Sequence, residues 1–138
     1  YASLMAAGVA TIEAYKEDNL IERGAKMGEY LMQKALELQE KHPSVGDVRG
    51  KGLFVGMELV KNRKTREPVH EPLFEGPRPP TAKMKLLGEV LKKGVYCLPG
   101  QTSVIMMAPP LTIERDEIDF AISVLDEALP IADAEYQD

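Results

Sequence analysis

Asp47-Val48-Arg49-Gly50-Lys51-Gly52-Leu53-Phe54-Val55-Gly56-Met57-Glu58-Leu59 carries the main clue to the fold. Leu53, Val55, Met57 and Leu59 fall on one parity, and Phe54, Gly56, Glu58 and Val60 on the other. Side chains of a strand alternate between faces, so this period of two predicts a strand within residues 45–60, with Gly50 and Gly52 making a tight entry or bulge. Glu58 has two readings: a catalytic acid, or a charge on the wetter face of an antiparallel sheet. The second asks for nothing further and is preferred. Gly50-Lys51-Gly52 hints at a phosphate loop but lacks the flanking glycine spacing and precedes a strand, where such loops precede a helix.

On the N-terminal side the period becomes helical. Leu4, Met5, Gly8, Val9, Ile12 and Tyr15 recur at three and four, predicting a helix over about 2–16 with one apolar face. A second helix is predicted over 20–41, with Ile21, Ala25, Gly28, Leu31, Met32, Ala35 and Leu38 buried and with Asn19 and Glu22 forming a variant capping box. Gly24 and Gly28 each cost such a helix about 1 kcal/mol relative to alanine, which points to close packing against a neighbour. His42-Pro43 ends it, because the residue before proline avoids helical backbone.

On the C-terminal side, residues 61–80 are polar and proline-rich and read as a long surface connection. Its basic cluster, Lys61 to Arg66, suits a solvated turn, or contact with an acidic partner. A third helix is expected over 81–93 on Met84, Leu87, Val90 and Leu91, with Gly94 just past its end. Two short strands, 95–98 and 103–108, flank a Pro99-Gly100-Gln101-Thr102 turn, and a last helix over 115–129 stops at Pro130. The expected fold class is α+β: a small, mostly antiparallel sheet with helices packed on one face.

A chain of 138 residues with 44% hydrophobic and 28% charged side chains suits one globular domain. A net charge of -5 argues against nucleic acid or an anionic membrane as partner, and no apolar run reaches the length of a membrane helix. Cys97 is the single cysteine, so neither a disulfide framework nor a thiolate metal site is expected, and a reducing cytoplasm fits. Tyr1-Ala2-Ser3-Leu4-Met5-Ala6-Ala7 has no signal-peptide pattern and reads as a helix already under way, as in a fragment.

Catalytic sets are missing. No Ser or Cys stands beside a plausible histidine and no metal-spaced cluster occurs, so no catalytic, cofactor-binding or metal-binding residue is assigned. His42 abuts a helix-stopping proline and His70 lies in the polar connection. From Gly94 to Ile113 there is no charged side chain. Two buried strands account for part of that run, and a plain turn would account for the rest. Alternatively the turn borders a pocket or a domain interface, with Gln101, Thr102 and Ser103 as hydrogen-bond donors.

Several segments resemble the class III aminotransferases, the omega-amino-acid family. The run from Asp47 to Leu59 resembles the segment opening that family's small-domain sheet, and Ala108-Pro109-Pro110-Leu111-Thr112-Ile113 with Ile118-Asp119 resembles its final strand-to-helix passage. Tyr1 to Leu20, Asn19-Leu20-Ile21-Glu22-Arg23 and Gly28-Glu29-Tyr30-Leu31 fit in order and spacing. The resemblance implies that residues 1–138 are the C-terminal small domain of a fold type I enzyme, with residues 1–16 the helix joining it to an absent large domain. It implies pyridoxal phosphate as cofactor, a homodimer, and transfer of an amino group from an amine or omega-amino acid to a keto acid such as pyruvate. The lysine that binds the cofactor belongs to the large domain, so this chain alone is expected to be inactive. Many relatives carry an arginine in the segment matching Cys97 to Met107, where a guanidinium can grip a carboxylate. Here Leu98, or Met106 in another alignment, stands in its place. Leu98, Gln101, Thr102 and Ser103 are therefore the expected substrate-adjacent residues, bordering an uncharged or unusually shaped amine donor. An aminomutase or decarboxylase on the same scaffold, or a non-catalytic α/β binding module, remain alternatives.

Overall fold

The decisive stretch folds as a hairpin rather than as one strand with a bulged entry. In the computed structural model, which describes residues 1–69, 81–100 and 103–138, the elements run as follows. Helix α1 (Ala2–Glu17) and α2 (Leu20–Lys41) precede strands β1 (Val45–Lys51), β2 (Phe54–Asn62) and β3 (Glu67–Pro68). Then come α3 (Ala82–Lys92), β4 (Leu98–Pro99), β5 (Val104–Met107), α4 (Arg115–Ala128) and the single turn α5 (Pro130–Asp133). Gly52, at φ 55°, supplies the left-handed residue that lets β1 turn straight back into β2.

All pairings are antiparallel, in the order β1-β2-β5-β4, with β3 joined to β2. The predicted parity of β2 holds along most of the strand: Val55, Met57 and Leu59 are buried, while Phe54, Gly56 and Glu58 face outward. Val48 of β1 pairs with Met57, and Met57 with Ile105 of β5, so three strands give side chains to one apolar face. Met27, Leu31, Ala35 and Leu38 of α2, Leu86 and Val90 of α3, and Ile118, Ile122 and Leu125 of α4 complete the core with that face. Shortening a fully buried member such as Met57 to alanine costs about 2–5 kcal/mol by this packing logic. The outward face carries Arg49, which bonds Asp47 at 2.5 Å and Glu58 at 2.8 Å. Glu58 is thus a paired charge on the open face.

Gly28 and Gly24 are close-packing glycines. A Cβ on Gly28 would stand 2.5 Å from the Gly52 carbonyl oxygen and closer still to its carbons, and one on Gly24 would meet Leu111 at 2.8 Å. Here α2 meets the hairpin turn backbone to backbone.

Several expectations are corrected. Val60 is buried, not on the wetter face, because the register shifts beside Gly46 and the Val60 methyls lie over that glycine. Asn19 makes no side-chain cap and instead turns the chain at φ 49°. The reciprocal capping box forms at Glu114 and Glu117, where α4 begins. Helix α3 buries Ala82, Lys83, Leu86 and Val90 and leaves Met84 and Leu91 exposed, so its inner row lies about one position from the expected one. Ile21 and Ala25 are likewise exposed, and α2 turns Gly24 and Met27 inward instead. The apolar face of α1 stays largely exposed: no residue of that helix is buried. Pro130 ends α4 but opens α5, since proline suits a first helical position. The connection after residue 60 contains the rest of β2 and all of β3, with Val69 buried, while residues 70–80, His70 among them, lie outside the described residues.

Candidate functional site

The uncharged run forms the edge of the sheet. Leu98 and Pro99 of β4 pair with Met106 and Ile105 of β5. Leu98 is 39% exposed, Tyr96 is 70% exposed, and Ser103 is buried with its carbonyl accepting from the Leu59 N–H at 2.9 Å. Gln101 and Thr102 lie outside the described residues. The structure therefore places Leu98 and Ser103 on either side of one strand connection, the first at the surface and the second beneath it.

Tyr96, Leu98, Met106 and the side chains of Cys97, Ile118 and Ile122 wall a groove of about 240 Å³ between this edge and α4. Part of the uncharged run is thus a pocket wall. Burial pushes the Cys97 thiol up to about 11, so at neutral pH it serves as an apolar side chain. A wider groove of about 1100 Å³ runs between α2 and the hairpin turn, lined among others by Ile21, Met32, Leu36, Gly52 and Phe54. Its exposed apolar residues continue those of α1.

Lys83 was not singled out from the sequence. It is only 5% exposed, and its Nζ donates to the Gly100 carbonyl at 2.8 Å. The available signal was its place in the row of Leu86 and Val90, at i, i+3 and i+7.

The histidine that could be judged catalytic is structural. His42 is 4% exposed; Nδ1 lies 2.6 Å from Asp133 Oδ2, and Nε2 lies 2.7 Å from Asp126 Oδ1. Lys41 also bonds Asp126 at 2.5 Å, and Ser44 Oγ donates to Asp133 at 2.6 Å. The cluster ties the end of α2 to α4 and α5. The Lys41 and His42 bonds hold the Asp126 carboxyl below the usual carboxylate range. Arg63, from the basic cluster, donates to the carbonyls of Gln39, His42 and Val45 and so closes the same corner from inside the chain. Among the described residues, no three His, Cys, Asp or Glu side chains converge as a metal site, and no helix is long and apolar enough to cross a membrane.

The chain is similar to known proteins along most of its length. The family Aminotransferase class-III matches residues 2–129. Isoleucine 2-epimerase of Lentilactobacillus buchneri is 37% identical over 123 residues, 89% of this chain and 25% of its own length. Taurine–pyruvate aminotransferase of Rhodobacter capsulatus is 36% identical over 124 residues, 90% of this chain and 26% of its own. The solved structure of taurine:2-oxoglutarate aminotransferase from Bifidobacterium kashiwanohense, in complex with PLP and glutamate, is similar at TM-score 0.82 and 29% identity, over 94% of this chain and 28% of that one. The chain spans about a quarter of the length of the curated relatives it matches. With one family matching from α1 to the end of α4, this chain belongs to the class III aminotransferases.

Proposed function

We propose that this chain is the C-terminal small domain of a cytoplasmic, homodimeric class III aminotransferase. The full enzyme moves an amino group from an amine or omega-amino acid to a keto acid such as pyruvate, with pyridoxal phosphate as cofactor. The observation that carries this reading is the family match over residues 2–129, on a fold that matches solved aminotransferases. Lys83, the one lysine buried among the described residues, is bonded to a backbone carbonyl and lines neither groove. The described residues do not by themselves fit pyridoxal phosphate. The unburied apolar face of α1 and the groove along α2 suit a surface that a large domain covers.

In this reading the connection from Leu98 to Ser103, Gln101 and Thr102 included, borders the amino donor and supplies shape rather than charge. The keto acid is then held by a cation elsewhere in the enzyme. The enzyme carrying this domain should form alanine or glutamate when given a panel of amines and amino acids with pyruvate or 2-oxoglutarate. Failure to transfer from any donor would sink the reaction assignment. A strict need for an α-carboxylate on the donor, lost on substituting Gln101 or Thr102, would sink the idea that the connection supplies shape rather than carboxylate recognition. The epimerase among the relatives favours a second reading, inversion of an amino acid on the same scaffold. Chiral analysis of a single amino acid incubated without a keto acid separates the two.

A further inference from the structure

Most residues lining the groove beside β4 come from the uncharged run between Gly94 and Ile113. The chain joins β5 only through Leu98 and Pro99, and residues 95–97 before them lie outside the strand. The sheet therefore stops short on the side toward α4, and the groove of about 240 Å³ occupies that gap. Its inner wall is core, with Cys97, Ile118 and Ile122 buried, while Tyr96 and Leu98 on its rim are open to solvent. None of the described residues that line it is charged, and the Tyr96 hydroxyl and the Cys97 thiol are the only polar groups among their side chains.

Such a lining sorts guests by chemistry. A carboxylate or sulfonate pushed into the groove would shed its water and meet no cation among these residues. Each methylene buried there instead gains about fourfold in affinity. An apolar cavity of about 150 Å³ already takes a benzene-sized guest, so about 240 Å³ has room for a phenyl or branched aliphatic group.

We propose that this groove takes the apolar group of the amino donor, so that the enzyme acts on amines and amino acids with an aliphatic or aryl group rather than on short donors ending in a second acid group. This rests on the reading above, in which Leu98 borders the donor; Leu98 also stands on the rim of the groove. The groove selects the donor and takes no part in the chemistry.

The test uses the full-length enzyme. Across ethylamine, butylamine and hexylamine, kcat/KM should climb about fourfold per methylene until the groove is full, and leucine should be a better donor than alanine. Ala121 of α4 is half-buried and lines the groove, so Ala121→Leu should fill it and lower the hexylamine-to-ethylamine ratio by about tenfold or more. Hexylamine, but not ethylamine, should also slow iodoacetamide labelling of Cys97, read by mass spectrometry of its peptide. A flat alkylamine series, a ratio unmoved by Ala121→Leu, or Cys97 labelling indifferent to hexylamine would each overturn the proposal. If Ala121→Leu does not fold, the wild-type series and the labelling decide alone. A wild-type enzyme that transfers from no donor would defeat the functional reading instead, and Cys97 protection would still decide whether the groove takes an apolar group.

Discussion

Replacing Gly28 with alanine should destabilise this domain although it adds only one methyl and improves helix propensity. Gly28 faces Gly52, and the new Cβ would lie 2.5 Å from the Gly52 carbonyl oxygen, with the carbons of that residue closer. Both partners are backbone, so no side chain can rotate away. Relief requires α2 and the hairpin turn to part by about 1 Å, which forfeits a quarter to a half of the contact energy along the seam. Overpacking of this kind costs about 1–3 kcal/mol or more, against a gain of about 1 kcal/mol from replacing glycine in a helix. We expect a net loss of about 2 kcal/mol, read as a fall of roughly 1 M in the urea midpoint. Gly88→Ala is the control: Gly88 is also helical, but nothing lies within 4 Å of its Cβ position, so the same change there should stabilise by up to about 1 kcal/mol. Equal midpoints for the two variants, or a Gly28→Ala protein as stable as wild type, would refute the argument that space at the helix–hairpin contact sets the cost.

Three further outcomes are expected. Asp126 is held below the usual carboxylate range by Lys41 and His42, so its contribution is present above about pH 4 and lost as pH falls through its lowered value. Asp126→Asn should cost about 1–3 kcal/mol near neutrality and flatten the acid limb of a stability–pH curve, whereas curves that run parallel would contradict the latch. With its thiol pushed up to about 11, Cys97 should react with iodoacetamide at pH 8 roughly a hundredfold more slowly in the folded chain than in urea, and equal rates would show that the groove wall is open. In the full enzyme, Leu98→Arg should shift preference toward donors bearing a carboxylate by about tenfold or more, through a bidentate pair at the sheet edge; a donor panel with unaltered ranking would remove Leu98 from the substrate wall.

Much of this architecture could be read locally. The alternation through Val55, Met57 and Leu59, the helical spacing of α2 and α4, the His42-Pro43 stop, and the packing role of Gly24 and Gly28 all follow from covalent geometry and steric limits that act within a few residues. What tertiary structure decided is everything that depends on a distant neighbour. An apolar stripe on a helix is wide enough that its inner row can shift by a residue, which is how Lys83 came to lie inside while Met84 and Leu91 stayed in solvent. Whether β1 would pair back onto β2, and whether Val60 would turn inward over Gly46, depended on register. His42 meets Asp133 across 91 residues and Asp126 across 84, separations over which a sequence pattern carries no positional information until the chain has folded.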